Sequence, residues 1–506
     1  MSGMQRITSD TADTTEFTAH ALFNSAATRS IEQAALAATP THTLMQRAGL
    51  AVARLALAVA PHARTVWIAC GPGNNGGDGL EAALHLHRWG KHVVVTWLGV
   101  ETRAPADALL SLARLRQAGV VLADAPPAEL GPQDLAIDAL LGLGGSRAPT
   151  DRMAQWITQL NTCHAPVLAV DLPTGLNADT GANTGLAGLT GRLCHAQHTL
   201  CLLTLKPGLF TGLGRDAAGE IWLDSLDVDL STTAPSAFLS APPVPRFRAH
   251  ASHKGSYGDV AIVGGAAGMT GAAVLAASAA LHGGAGRVFA ALLTPEIDTA
   301  AINAALPELM LRSFDTLSLA NLTVVCGCGG GQAVAAVLPR LLAEAPRLVL
   351  DADALNAIAA DSNSNSELQT QLKARSTRQQ TTILTPHPLE AARLLGTDTL
   401  TIQADRLGAA QQLADRFMCV VVLKGSGSVI AAPQALPQVN PTGNARLATA
   451  GTGDVLAGLT GALLAAGLPA TQAASEAVYR HGASADQWPP NHTLTAGELA
   501  RRLTAP

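Results

Sequence analysis

Short apolar runs that end in a glycine-containing turn and lead into a helical pattern recur along this chain, and that rhythm leaves few folds open. Val66 to Cys70 is one such run, followed by a Gly-rich turn and a helical pattern from about Leu80 to Trp89. Val93 to Leu98 follows. Leu135 to Asp138 and Val167 to Asp171 repeat the theme, each ending in Asp before a glycine loop. Strands alternating with helices read as right-handed crossover units on a parallel sheet, and such sheets bind ligands beyond the carboxyl ends of their strands. Two helical patterns, Arg29 to Ala38 and Leu44 to Ala60, come first. The stretch Ser231 to His250, with Pro235, Pro242, Pro243 and Pro245, breaks the rhythm and reads as a linker. The rhythm then restarts with strands Asp259 to Val263, Val288 to Leu292, Thr323 to Cys326, Leu348 to Leu350, Thr382 to Leu384 and Val420 to Leu423. Helices are predicted over Gly271 to His282 and after Gly453, and a polar loop over Asp361 to Ser366. At 506 residues the expectation is two α/β domains, 19–232 and 246–506, the first a Rossmann-like three-layer fold.

Composition agrees with helices stacked on parallel sheets. Hydrophobic residues make up 48%, charged residues 14% and aromatics only 3%, so the core must be Ala, Val, Leu and Ile. The formal net charge of −5 offers no footprint for nucleic acid or an anionic membrane, so neither is expected as a partner. Any phosphate has to be held by backbone amides and helix ends. The seven cysteines show no zinc spacing and read as free thiols of a reducing compartment. The first twenty residues lack an apolar signal region, and the apolar stretch near Val455 to Ala470 is broken by Gly, Thr and Pro. A cytoplasmic protein is expected.

Three turns of the first half carry candidate chemistry. Gly71 to Gly79 reads GPGNNGGDG, between a strand and a helix. Its glycines let the backbone approach a phosphate, the helix start supplies amides, and Asn74, Asn75 and Asp78 offer oxygens to a cation or a ribose hydroxyl. A plain glycine turn would need none of these polar groups. Asp138 ends the second strand and precedes Gly142-Leu143-Gly144-Gly145-Ser146-Arg147, where Arg147 is either a pyrophosphate contact or a solvated side chain. Asp171 ends the third strand in VDLPTG, where Pro173 and Gly175 shape a turn that aims Asp171 and Thr174 into a crevice, unless Asp171 merely caps that turn. Three such endings in one sheet favour the functional reading.

GPGNNGGDG, DALLGLGG and VDLPTG, with MQRAG at Met45 to Gly49 and LKPG at Leu205 to Gly208, resemble the epimerase domain of the NAD(P)H-hydrate repair enzymes over about Ala19 to Leu230. The resemblance implies a potassium ion held by Asn75, Asp138 and Thr174, the last in place of the family's usual Ser. It also implies that Asn74, Asn75, Gly76, Gly77, Asp78, the loop Gly142, Leu143, Gly144, Gly145, Ser146, Arg147 and Ala148, and Asp171 bind the hydrated nucleotide. Loss and return of the hydroxyl beside the ring nitrogen passes through an iminium-like species and inverts the carbon. Asp171 is the candidate proton shuttle.

In the second half, ATAGTGDVLAG (Ala448 to Gly458) sets Gly451, Gly453 and Asp454 at a helix start, an anion hole with a carboxylate beside it. Asp454 as a simple helix cap would leave the glycines unexplained. This signature resembles the ribokinase-like superfamily, which implies a ribokinase-like three-layer second domain. His253-Lys254-Gly255, VGGAAGMTGAAVLAA, HGGAGRV, CGCGGG, DADALN, TPHPLE and LKGSGSVI resemble the ADP-dependent dehydratase of the same repair system, over about Phe247 to Leu499. That resemblance implies that Ala272, Gly329, His387 and Asp454 contact the hydrated nucleotide. Lys424, Gly425, Ser426, Gly427, Ser428 and Gly453 would contact ADP as co-substrate, with magnesium. Taken alone, His387 reads as a loop histidine and Lys424 as a solvated strand end. Cys328, near which relatives have Pro, is expected to loosen its turn, and Leu389, where they have Gly, to narrow the mouth near His387.

Hydroxide leaves poorly at neutral pH. Phosphorylating the hydroxyl, with Asp454 as base, turns it into a phosphate that the ring nitrogen helps expel. The partners implied are NAD(P)H hydrates, an adenine nucleotide and further copies of the chain in a homo-oligomer. A kinase of a small alcohol or vitamin precursor would have no use for GPGNNGGDG and its partner loops, and a non-catalytic scaffold would have none for an intact Asp171 and ion-ligand set.

Overall fold

The computed structural model describes residues 4–8, 20–145, 147–149, 151–184, 192–295, 299–361 and 367–503. Most of the loop predicted at Asp361 to Ser366 and most of the N-terminal arm lie outside them. The chain divides into two compact units, the bulk of which are Ala21–Ala237 and Phe238–Pro506. Both are α/β. Among the described residues no helix is long and apolar enough to cross a membrane, and all seven cysteines are free.

The first unit is built on parallel strands in the spatial order His92–Trp97, Thr65–Cys70, Leu135–Ala139, Val167–Val170, His198–Leu202 and Glu220–Asp224. Gln5–Ile7 closes the last edge antiparallel. Helices Thr43–Val59 and Asn74–Arg88 pack on one face with Ala and Leu, and Asp151–Thr162 packs on the other through Trp156, Ile157 and Leu160. The chain order reverses between Thr65–Cys70 and Leu135–Ala139, the switch point at which such sheets open a crevice. The turns there are pressed together. A Cβ on Gly71 would sit 1.7 Å from the Leu140 carbonyl oxygen, so only glycine fits.

The second unit repeats the plan. Met310–Leu311, Arg287–Leu292, Asp259–Gly264, Leu322–Cys326, Arg347–Leu350, Thr381–Leu384 and Val420–Leu423 run parallel in that spatial order. Val429–Ala431 and Gln438–Val439 add an antiparallel edge. The order reverses between Asp259–Gly264 and Leu322–Cys326. The stretch read as a linker spans the division between the units, but it also contributes Phe238 and Leu239, which pair with Gln438 and Val439. The edge strands escaped the sequence reading because two- and three-residue strands have too short a period to detect.

Helix Thr452–Ala465 is apolar all round, with residues 455–465 buried. It packs against helix Thr270–His282 through small residues. A Cβ on Gly458 would sit 2.0 Å from the Ala276 carbonyl oxygen. Gly458→Ala is therefore expected to push the helices apart and destabilise the second unit by about 2 kcal/mol, read as a lowered unfolding midpoint in denaturant. An unchanged midpoint would show the contact to be soft.

Candidate functional site

In the first unit the candidate residues gather at the switch point, around a cleft of about 390 Å³. GPGNNGGDG is not a loop ahead of a helix. Helix Asn74–Arg88 starts inside it, with Gly73 as N-cap. The early start lets Gly76 pass the Gly71 carbonyl oxygen, which a Cβ would approach to 2.0 Å. The backbone amides of Asn74, Asn75 and Gly76 donate no hydrogen bond within the described chain, so they remain available to an anion. Asn74, Asn75, Asp78, Gly142, Leu143, Gly144, Gly145 and Asp171 all line the cleft. Gly76 and Gly77 are buried behind it, and Gly77 packs on Met45. Arg147 is exposed and Ala148 half-buried, and neither lines it. Ser146 lies outside the described residues.

Asp171 follows strand Val167–Val170 in the left-handed region at φ 66°, a conformation that L side chains adopt at some cost. Its carboxylate receives the Lys206 ammonium, which is fully buried and also donates to the Leu202 carbonyl at 2.8 Å. The Leu202 amide donates to the same carboxylate oxygen of Asp171 at 3.3 Å. A Cβ on Gly142 would lie 3.1 Å from both Asn75 Oδ1 and Asp171 Oδ2, so the bare backbone of Gly142 is what lets those two groups meet over the loop.

Beneath them Asp138 is fully buried. Its oxygens accept the Thr174 hydroxyl at 2.7 Å, the Thr174 amide at 2.8 Å and the Leu140 amide at 3.2 Å. Burial pushes its carboxyl up in spite of those bonds. Thr174 Oγ1 accepts from the Leu141 amide at 3.0 Å, and Asn75 Nδ2 is buried with no partner. A buried carboxylate held only by neutral donors, beside a hydroxyl oxygen, suits a hard monovalent cation, with the Asn75 Oδ1 at the glycine loop as a further oxygen; the orphaned Asn75 Nδ2 is a donor and is no ligand.

Two cleft residues, Arg29 and Glu32, and Lys206 behind Asp171 were given no role by the sequence. Lys206 belongs to LKPG, but only its burial against Asp171 reveals a role. Arg29 donates to the Leu143 carbonyl at 3.0 Å, the position at the glycine loop that the sequence had offered to Arg147. Glu32 stands one helical turn on from Arg29 in helix Ser25–Ala38 and also lines the cleft. Nothing in their local sequence marks either.

In the second unit, Gly451 caps helix Thr452–Ala465 at φ 88°. The amides of Gly453 and Asp454 donate no hydrogen bond within the described chain. His481, buried and pushed down to about 4 by that burial, holds the Thr452 carbonyl at 2.9 Å from below. Asp454 lies with Asp351 and Cys328, one donor atom from each within 4.8 Å of the others. Burial first, then the Asp351 charge, pushes the Asp454 carboxyl up to about 6. Lys424 Nζ bonds Asp351 Oδ1 at 2.6 Å and lies 4.0 Å from Glu390 Oε2. Burial alone would lower the Lys424 ammonium, but Asp351 and Glu390 outweigh it and raise it. A Cβ on Gly453 would come 3.4 Å from Lys424 Nζ, so the two proposed nucleotide contacts adjoin.

The remaining candidates fall around this centre. Gly425, at φ 137°, leaves room for the buried Arg406, which ties down the Leu423 and Lys424 carbonyls. Ser428 Oγ bonds the Gly425 carbonyl at 3.3 Å, and Gly427 takes φ 62° in the same turn as Ser426. Gly329, at φ 58°, sits where a Cβ would meet Ala272 Cβ at 2.9 Å. His387 caps helix Pro388–Leu395, its Nδ1 accepting the Leu389 amide at 3.1 Å and its amide donating to Glu390 at 2.8 Å. The Leu389 side chain is exposed. Cys328, expected to loosen its turn, is pinned. It is fully buried, its carbonyl accepts the Gly265 amide at 3.0 Å, and its thiol donates to Asp454. Asp351 and Glu390 were missed, although Asp351 follows a strand end as Asp138 and Asp171 do.

Comparisons with known proteins agree with this division. A family model described as NAD(P)H-hydrate dehydratase matches residues 260–505, and one described as YjeF-related protein N-terminus matches residues 41–208. The chain is 37% identical over 464 residues to the bifunctional NAD(P)H-hydrate repair enzyme Nnr of Escherichia coli, covering 88% of this chain and 85% of that protein. It is 45% identical over 271 residues to the ADP-dependent (S)-NAD(P)H-hydrate dehydratase of Neisseria meningitidis, covering 52% of this chain and 88% of that protein. A crystal structure of the ADP/ATP-dependent NAD(P)H-hydrate dehydratase of Bacillus subtilis, co-crystallised with ATP and Mg²⁺, is 32% identical. It covers 52% of this chain and 91% of its own, with a TM-score of 0.43.

Proposed function

Because the chain belongs to the family of bifunctional NAD(P)H-hydrate repair enzymes, we infer that its two units are the two enzymes of one repair sequence. The first, 19–232, epimerises the R and S hydrates of NAD(P)H, and the second, 246–506, dehydrates the S form to NAD(P)H at the expense of ADP. The observation that carries this reading is the pair of sites themselves. Each unit opens free helix-start amides and a buried carboxylate beyond the carboxyl ends of its parallel strands.

In the first unit the amides of Asn74 to Gly76 and the Arg29 guanidinium hold phosphate, and Asp171, paired with Lys206, faces the reacting ring. Potassium would be held by oxygens of Asn75, Asp138 and Thr174, of which Asp138 and Thr174 are fully buried, and would supply fixed positive charge under the glycine loop.

In the second unit Asp454 takes the proton of the substrate hydroxyl as that oxygen attacks the terminal phosphoryl group of ADP, the bridging P–O bond breaking to release AMP. The amides of Gly453 and Asp454, with Lys424, hold the charge that builds on it. Magnesium would draw oxygen ligands from Asp351 and Asp454 together with nucleotide phosphates; the Cys328 thiol is too soft a donor for it. The ring nitrogen lone pair then expels phosphate, and loss of a proton from the neighbouring ring carbon restores the dihydropyridine. Ala272, Gly329 and His387 border the hydrated ring, and Lys424 to Ser428 the adenine nucleotide. We assign the protein to the cytoplasm, as a homo-oligomer.

The test mixes purified protein with each epimer of NADH hydrate and ADP or ATP, and follows NADH absorbance. Both epimers are expected to return NADH, the R form with a lag. Return of NADH with no nucleotide present would sink the phosphorylation step, and an R form that stays inert would sink the epimerase.

A further inference from the structure

The acid content of the first cleft is at odds with an anionic ligand. Glu32, Asp78, Asp107 and Asp171 line it, against Arg29 in the cleft and Lys206 behind Asp171. A dinucleotide pyrophosphate belongs at the amides of helix Asn74–Arg88 and at Arg29. The acidic wall suits a group that becomes positive, which is what the hydrated ring does when its hydroxyl departs. Of these carboxyls, Glu32 and Asp107 belong to no motif, and Asp107 is taken up by His42, whose Nδ1 lies 3.5 Å away, which leaves Glu32. Its helix is fixed against the glycine loop by Arg29, one turn earlier on the same face.

We propose that Glu32 is the acid that protonates the departing hydroxyl and the base that receives the proton back, in the cleft it shares with Asp171. This rests on the epimerase reading of the first unit. The Glu32 carboxyl proton passes to the oxygen on the ring carbon beside nitrogen. The C–O bond breaks, its electron pair leaving with water, while the nitrogen lone pair closes the C=N bond. The planar cation lies between the Glu32 and Asp171 carboxylates. Water then adds to either face, its oxygen pair forming the new C–O bond and the C=N pair returning to nitrogen. The extra proton of that water goes to the Glu32 carboxylate. No net charge or atom is gained.

The surroundings favour this division of labour. Burial, then the Asp171 charge, raises the Glu32 carboxyl, while Lys206 and Arg29 pull it back. Asp78 is also raised, by burial and by Asp171, Glu32, Glu81 and Asp107, but it stands on the helix that meets the phosphates. Asp171 is committed to its ion pair with Lys206. Two carboxyls in one cleft, one ion-paired with a buried ammonium and one inclined to keep its proton, make an acid–base pair.

The experiment uses the full chain and the pure R hydrate, with ADP-dependent dehydration of the S hydrate as internal control. Glu32→Gln is expected to slow epimerisation by about a hundredfold, with dehydration and the affinity for intact NADH unchanged. The wild-type rate is expected to fall as pH rises through the Glu32 titration. E32Q loses that limb, and Glu32→Asp recovers part of the rate with the limb present. Epimerisation by E32Q near the wild-type rate would overturn the proposal. So would a limb that disappears in Asp78→Asn but survives in E32Q, or a loss of NADH affinity in E32Q that E32D does not restore. Wild-type protein that dehydrates but never epimerises would instead bring down the functional reading of the unit.

Discussion

Asp454→Asn is expected to lower ADP-dependent dehydration by about a thousandfold, the scale of a lost general base, while epimerisation in the same chain continues. The carboxylate sits where a helix start, Lys424 and Asp351 converge, and the amide cannot accept the hydroxyl proton. Because the Asp454 carboxyl is pushed up to about 6, its base form dominates above that pH. The wild-type kcat/KM for dehydration should therefore fall as pH drops below about 6, and the residual rate of D454N should not. Stability moves the other way. A carboxyl whose folded pKa is raised holds a proton longer folded than unfolded, so its contribution is lost as pH rises through the folded value. Removing the charge should thus stabilise the second unit above pH 6, on the order of 1–2 kcal/mol after discounting for its partial exposure. Loss of activity with gain of stability marks a functional carboxylate. A D454N protein that dehydrates normally would refute the assignment.

The second large effect is expected at Asp171 and Lys206. Asp171→Asn, which removes the charge facing the ring cation, should reduce epimerisation by about a hundredfold or more, and leave dehydration of the S hydrate untouched. Lys206→Met is expected to do that and more. The ammonium is fully buried, and its removal leaves the Asp171 carboxylate, itself only 7% exposed, without its cation. Breaking a buried pair from one side costs about 3–5 kcal/mol, so the unfolding midpoint of the first unit should drop sharply. The double variant D171N/K206M should regain stability but not activity, since no charge is then left unpaired. If K206M unfolds at the wild-type midpoint, the pair is not what holds the strand end in place.

Much of the site was legible because its residues sit in strings with a mechanical reason. The glycines of GPGNNGGDG and GTGD permit close backbone approach, and Asp138 and Asp171 stand at or just past apolar strands. The helix start inside GPGNNGGDG was not legible. Gly76, Gly77 and Gly79 argue locally for a turn, and only the close packing of Gly77 on Met45 and Gly79 on Cys70 makes a helix there worthwhile. Glu32 and Arg29 look like ordinary charges on an amphipathic helix, and Lys206 like a loop lysine. Cys328 carried a local expectation of looseness that its burial and its bonds to Gly265 and Asp454 overturn.

What the chain determined by itself was the alternation of strand and helix and the glycine-bearing turns, since each depends on neighbours a few residues apart. What only the tertiary structure decided was which turns meet. In the first unit strand order brings Gly71 against Leu140, and Glu32, Asp171 and Lys206 to one cleft; in the second it brings Cys328 and Asp351 to Asp454. The reason is physical. Periodicity and turn chemistry are local, whereas strand order and the burial that pairs or perturbs a charge are set by the packing of segments far apart in the chain.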